Sequence, residues 1–206
     1  HIGFAIARNQ ADANLLRAKS SLEATHSELE QALAHEQVLA RTDGLTELYN
    51  RRYFFELAVR EFSASIRYQR TLTIIMFDVD GFKQANDTLG HAFGDSILIQ
   101  IAQVAASQVR DVDILARYGG DEFVILLPQT NTQQAFLIAE RIRESVLSAR
   151  VKADSQSIVV TLSIGVAEIV HNPQDRLVED VIRRADKALY RAKQKGRNTT
   201  VIFNEP

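Results

Sequence analysis

The sequence predicts an α+β fold: an enlarged ferredoxin-like (split βαβ) sandwich with a central, mostly antiparallel sheet, preceded by a long helix. Three observations carry this expectation. Apolar runs of strand length alternate with stretches of helical period. Two of those runs, Ile114 to Tyr118 and Phe123 to Leu127, have only Gly119, Gly120, Asp121 and Glu122 between them. That spacing makes a hairpin and excludes a doubly wound parallel sheet. The stretch from Arg8 to Arg41 contains neither Pro nor Gly and is dominated by Ala, Leu, Glu, Gln and Ser, the composition of one long helix.

Within that helix Leu15, Leu22 and Leu29 recur at every seventh position, with Ala18, Thr25, Ala32 and Leu39 at the second apolar position of the heptad. This is a coiled-coil seam with polar interruptions at Thr25 and Glu36. The competing reading is a single amphipathic helix packed on its own domain. Residues 1–41 are therefore expected to be a helical coiled-coil linker, the tail of an upstream sensor region, and residues 42–206 a globular domain. His1 to Ala7 reads as the end of a preceding helix. A chain that starts at His1 reads as a piece of something longer.

Thr42-Asp43-Gly44 ends the arm. Arg51 to Tyr68 has helical spacing, with Phe54, Leu57, Ala58, Phe62 and Ile66 inward. Leu72 to Phe77 is an apolar run of strand length. Asp95 to Val109 is a helix with Ile97, Ile101, Val104 and Ala105 on one face. Thr132 to Leu147 is another, with Ala135, Ile138, Ala139, Ile142 and Val146 inward. Ile158 to Ala167 is a strand that turns Leu162, Ile164 and Val166 to one side. Val178 to Lys193 is a helix closed by Gly196, with Val181, Ile182, Ala185, Leu189 and Ala192 inward. Thr200 to Phe203 is a last short strand.

Composition narrows the function. The 206 residues carry 24 Lys and Arg against 26 Asp and Glu, a net charge of −2, which argues against a general DNA or RNA binder. The absence of cysteine excludes disulfide frameworks and thiolate metal sites. No apolar run approaches the ~20 residues of a membrane span, and no signal peptide is present. The expected location is the cytoplasm, with membrane anchorage of a longer protein left open.

Two acidic motifs carry chemistry. Asp78-Val79-Asp80 closes the first buried strand just before Gly81. An all-oxygen ligand set there suits Mg²⁺, with Mn²⁺ as a substitute. The Gly119 to Phe123 hairpin lets the backbone turn tightly and adds Asp121 and Glu122. Carboxylates converging from both segments repel unless a cation neutralises them. Taken singly, the first motif is better read as an acidic turn, and the second as an ordinary glycine-rich hairpin.

Together they change the odds. Asp43-Gly44-Leu45-Thr46-Glu47-Leu48-Tyr49-Asn50-Arg51-Arg52, the run from Phe77 to Asp95, Arg117 to Phe123 (RYGGDEF) and Ala185 to Asn198 (ADKALYRAKQKGRN) stand in order along the chain. In these four segments the sequence resembles the GGDEF family of diguanylate cyclases, from about Asp43 to Asn198. The resemblance implies a fold like nucleotide cyclases and polymerase palms. It also implies condensation of two GTP into cyclic di-GMP with release of two pyrophosphates, in a homodimer joined by the coiled coil. It assigns two divalent ions per GTP to Asp78, the Val79 carbonyl, Asp121 and Glu122, with Asp121, Glu122 and Lys83 as the catalytic set. Guanine falls to Asn86 and Asp95, with His91 ordering the same segment; Asp95 doubles as the N-cap of the helix that follows. Lys83, Lys193 and Arg197 would hold phosphates, although helix-end charge compensation also accounts for the last two. Arg110 and Asp113, with Arg141, would form an inhibitory site for the product, although an R-x-x-D is usually a surface ion pair. The alternatives are a non-catalytic module that binds GTP or cyclic di-GMP or only dimerises, and a related enzyme for another nucleotide.

Overall fold

The computed structural model describes residues 41–149, 151–153, 156–170 and 176–204, with Lys19, Leu22, Thr25, His26, Glu28, Leu29 and Glu36 of the arm. The chain divides into two compact units, His1–Ala40 and Arg41–Pro206. In the first, the described residues are helical, and Leu22 and Leu29 of the proposed seam are exposed. The other seam leucines and alanines, Leu15, Ala18, Ala32 and Leu39, lie outside the described residues, as does the lead-in to Ala7.

The second unit runs β1 (Tyr49–Asn50), α1 (Arg51–Tyr68), β2 (Leu72–Val79), α2 (Phe82–Leu89), α3 (His91–Ala106), β3 (Ile114–Gly119), β4 (Glu122–Pro128) and α4 (Thr132–Ser148). It continues through β5 (Val151–Ala153), β6 (Gln156–Ile158), β7 (Leu162–Glu168), α5 (Val178–Gln194) and β8 (Thr200–Ile202). Six strands form one sheet in the order β1-β3-β4-β2-β7-β8, and β5 and β6 make a separate small hairpin. The inner pairs β3–β4, β4–β2 and β2–β7 are antiparallel; the outer pairs β1–β3 and β7–β8 are parallel. The inner four reproduce the split βαβ arrangement, and β1 and β8 enlarge it.

Helices cover both faces. Residues Ile75, Phe77, Phe123, Ile125 and Ile164 point to α3 and α4, whereas Ile74, Met76, Val124 and Leu126 point to α1 and α5. A strand buried on both sides reads as an unbroken apolar run, which is why β2 and β4 show no alternation. Gly165 of β7 lets α5 lie directly on the strand: a β-carbon there would stand 2.1 Å from the Ala185 carbonyl oxygen. Among the described residues no helix is long and apolar enough to cross a membrane.

Two expectations are corrected, and one element is added that the sequence did not show: the segment after Asp80 forms the helix α2, bounded by Gly81 and Gly90, both at positive φ. Its Phe82, Ala85 and Leu89 pack against the α3–α4 core. The next helix begins at His91 with Gly90 as its N-cap, so Asp95 is an exposed residue of the second turn and not a cap. Phe93 and Gly94 carry the buried face of α3 back past Asp95. On α1, Ile66 is exposed, and Ser65 takes the inward place because its hydroxyl donates to the Arg70 carbonyl.

Candidate functional site

Strand register builds the acidic end of the sheet. Phe77 pairs with Phe123 and Asp78 with Glu122. The two phenylalanine rings stack 5.1 Å apart at 5°, under α3 and α4. Side chains alternate along a strand, so Asp78 and Glu122 turn to the opposite face, under the C-terminal end of α5. Lys193 of α5 reaches that end, and its Nζ lies 2.8 Å from Asp78 Oδ2. The turn itself is tighter than the sequence suggests. Gly119 pairs with Glu122, leaving only Gly120 and Asp121 between them, and the Val79 amide donates to the Asp121 carbonyl at 3.3 Å.

Asp78 is the buried member, 7% exposed. Burial is the main reason its carboxyl is pushed up from 3.8 to about 6; the bond from Lys193 opposes this, and the charges of Asp121 and Glu122 add to it. The ionised form of Asp78 is therefore disfavoured where it stands. Among the described residues no three acids or histidines close round a common point. The oxygen-only donor set, the raised carboxyl of Asp78 and the protein cation already resting on it all fit a divalent cation held by Asp78, the Val79 carbonyl, Asp121 and Glu122.

The neighbouring Asp80 has a different task. Its carboxylate accepts from Thr161 Oγ1 at 2.7 Å, Ser163 Oγ at 2.6 Å and the Asn198 amide at 3.0 Å. It ties β2 to β7 and to the Gly196–Asn198 turn, where Arg197 and Asn198 hold positive φ. Asn198 is gripped again by Arg143 of α4, Nη1 to Oδ1 at 2.9 Å. On the hairpin side, Arg117 donates to the Gly120 carbonyl from Nη2 at 2.7 Å and from Nε at 3.0 Å, and to Asp43 from Nη1 at 3.1 Å. Asp43 also accepts from the amide and hydroxyl of Thr46. Burial pushes the Asp43 carboxyl up, but these bonds outweigh it and hold the group below 3.8. Apart from Asp80, read together with Asp78 as an acid suited to a cation, no reading of the sequence gave these residues roles of their own. The only signal was the three-residue spacing of Asp43 and Thr46, which suits a side chain accepting from a backbone amide in a turn.

The remaining candidates fall in two other places. Asn86 on α2 lies across Gly94 of α3, next to Asp95, so the two guanine candidates are brought to one helix pair. Lys83 and His91 are exposed at the starts of α2 and α3. Arg110 and Asp113 sit at the far end of β3, a strand length of roughly 20 Å from the hairpin. Asp113 is buried, and Arg110 forks onto it with Nη2 at 2.7 Å and Nε at 3.1 Å, while Nη2 also donates to Thr130 Oγ1. Arg141 donates to the Gln108 carbonyl, just before Arg110, at 2.5 Å.

An α+β domain with these acids at the end of a buried strand pair and a GGDEF hairpin belongs to a known class. Residues 40–199 match the family described as "Diguanylate cyclase, GGDEF domain", and the chain belongs to that family. It is 41% identical over 167 residues to diguanylate cyclase A of Treponema denticola, covering 80% of this chain and 44% of that protein. It is 41% identical over 162 residues to diguanylate cyclase DosC of Escherichia coli (strain K12), covering 78% and 35% respectively. The chain thus spans less than half the length of these curated relatives. The coiled coil and GGDEF domain of DgcB from Caulobacter crescentus, solved in complex with c-di-GMP, superposes with a TM-score of 0.81 at 31% identity, covering 93% of this chain and 98% of that one.

Proposed function

We propose that this domain is a diguanylate cyclase: it joins two GTP molecules into cyclic di-GMP and releases two pyrophosphates. The observation that carries the reading is the register pair Asp78–Glu122 beside the intact Gly119–Phe123 hairpin. The relatives named diguanylate cyclase support it. In each of two steps the ribose 3′-hydroxyl of one GTP attacks the α-phosphorus of the other, a P–O bond forms, and the bond to pyrophosphate breaks. Asp121, half-buried in the turn, would help take the hydroxyl proton. Lys193 and Arg197 receive the triphosphate, Lys83 adds a further cation, and Asn86 and Asp95 read the base, with His91 ordering the segment between them. Asp78, the Val79 carbonyl, Asp121 and Glu122 would hold Mg²⁺ or Mn²⁺, which when bound acidifies the hydroxyl and neutralises the phosphate charge.

One domain presents one GTP, so the ring closes only when two copies face each other across a two-fold axis. The helical arm is the element that would pair them and pass on the state of an upstream sensor. Arg110, Asp113 and Arg141 would take the product and slow the reaction. Asp113 has both oxygens engaged by Arg110, so product binding there requires that pair to open.

The test is incubation of the purified chain with GTP and Mg²⁺, with the product identified by mass. Cyclic di-GMP formation that is lost in Glu122→Gln, with the fold intact, is the expected result. A folded wild-type chain that makes none, or that uses ATP equally, overturns the reading.

A further inference from the structure

Helix α2 is fastened unlike the other helices of the domain. Each of α1, α3, α4 and α5 has four or more buried residues, and α2 has none. Its Phe82, Ala85 and Leu89 reach the core only half-buried. Five of its eight residues are polar: Lys83, Gln84, Asn86, Asp87 and Thr88. Among the described residues, none of these five side chains makes a hydrogen bond or ion pair, and no side chain caps the start of the helix. Few buried contacts and little side-chain bonding belong to segments that open first.

The chain on either side is fixed. Asp80 is held by Thr161, Ser163 and the Asn198 amide, and Phe93 is buried in the core. Between these anchors and α2 stand Gly81 at φ 72° and Gly90 at φ 87°, joints without a β-carbon to restrain them. Beside α2 lies a cleft of about 280 Å³, with Gln84 and Thr88 on the helix and Ile158, Val159 and Val160 across from them. Gln84 and Thr88 each stand two residues from Asn86, and so roughly opposite it round the helix. Asn86 lies on Gly94 of α3. A tilt of α2 into the cleft is therefore a tilt away from α3.

We propose that α2 is a gate: it swings about Gly81 and Gly90 into the cleft beside Val159, opens the seam between α2 and α3 to an incoming nucleotide, and returns to retain it. This rests on the reading of α2 and α3 as the place where the base is held. Ring closure requires two loaded copies to meet, so each domain must keep its GTP until that encounter. A gate that is mostly closed slows entry and exit by the same factor. It lengthens the stay of the nucleotide and leaves affinity to the contacts made in the closed state.

The experiment uses the full chain and two variants, Val159→Phe and Thr88→Leu. Both positions are exposed, line the cleft and lie outside the proposed site, and each larger side chain takes up the room that α2 would enter. Hydrogen exchange is followed without nucleotide. Stopped-flow fluorescence then gives the association and dissociation rates of a methylanthraniloyl-labelled α,β-methylene analogue of GTP, which cannot undergo transfer at the α-phosphorus. In wild type the α2 amides should exchange about a hundredfold or more faster than those in the buried turns of α3. Both variants should slow that exchange. They should also slow association and dissociation together, by about fivefold or more, with affinity held within about threefold. A purely structural role would change affinity or melting temperature without moving both rates in step. If Val159→Phe does not fold, Thr88→Leu on the exposed side of the helix decides. Protection of α2 equal to that of α3, exchange that neither variant slows, or slowed exchange with unchanged nucleotide rates overturns the inference. A folded wild-type chain that does not bind the analogue refutes the proposed function and the gate with it; binding at rates the variants leave unchanged refutes the gate alone.

Discussion

Replacing Asp78 by asparagine should stabilise the metal-free domain at neutral pH while removing a proposed cation ligand. In the unfolded chain this carboxyl titrates near its ordinary 3.8; in the folded chain it titrates at about 6, chiefly through burial. Between those values the folded state keeps a proton that the unfolded state has released. Stability from this group is therefore greatest below 3.8, declines as pH rises, and is lost above about 6. The gap corresponds to roughly 3 kcal/mol, an upper figure because an amide does not reproduce every contact of the protonated acid. The opposing contact of Lys193 at 2.8 Å is already part of that balance, and Lys193 keeps partial access to water when its partner is removed. For a domain of this size roughly 3 kcal/mol is about 6–12 °C in melting temperature. The assay is thermal unfolding in chelator across a pH series, Asp78→Asn against wild type. The two should coincide below about pH 3.8, and the variant should pull ahead between there and about pH 6 and keep a constant lead above it. Millimolar Mg²⁺ should then raise wild type and leave the variant where it was. A variant that melts lower at neutral pH, or a gap that does not change with pH, would refute the reasoning by showing that the ion pair with Lys193 dominates.

Three further outcomes follow from the packing around the site. Arg117→Ala removes the clamp between Asp43 and the Gly120 carbonyl; it should cost about 2 kcal/mol and slow cyclic di-GMP formation, with faster hydrogen exchange at the hairpin amides as the check. Gly165→Ala drives a methyl group into the backbone of α5 and should destabilise by about 3 kcal/mol or more, read from denaturant midpoints. Arg110→Ala strands a buried Asp113 and should cost about 3 kcal/mol. Assayed well below its melting point, it should keep its initial rate but no longer slow as cyclic di-GMP is added.

What the sequence made legible depended on how many faces of an element are buried. Helix α1 and the long helices α4 and α5 are amphipathic, and their spacing located them within a residue or so. The central strands were visible as solid apolar runs because both faces are covered. Helix α2 escaped notice because eight residues between two glycines give barely two turns of pattern, and without it the start of α3 was placed four residues late. That displacement alone made Asp95 look like a cap. The acids of the site were legible as types, but Asp78 and Asp80 could not be told apart. Only the pairing of β2 with β7, and the Asn198 amide arriving from the far end of the chain, separate a candidate site carboxylate from a tether.

That separation also says how the site is held. Phe77–Phe123 stacking fixes the register of β2 against β4, and a slip of one residue would turn Asp78 and Glu122 into the opposite core. Arg117 fixes the turn from the side of Asp43. Asp80 and Arg143 fix Asn198, and the contact of α5 on Gly165 sets where that helix ends and hence where Lys193 arrives. Three of the four motif segments thus supply both a candidate reacting or binding group and a contact that positions a group from another segment, and the first supplies the contact alone, Asp43 to Arg117. Substitutions at Arg117, Asp80 or Gly165 should therefore act on turnover through geometry, with loss of stability as their companion. Substitutions at Asp121 or Glu122, half-exposed at the turn, should act on turnover with the fold left intact. The ratio of lost activity to lost stability distinguishes the two classes, and equal ratios at Arg117 and Glu122 would contradict this division of labour.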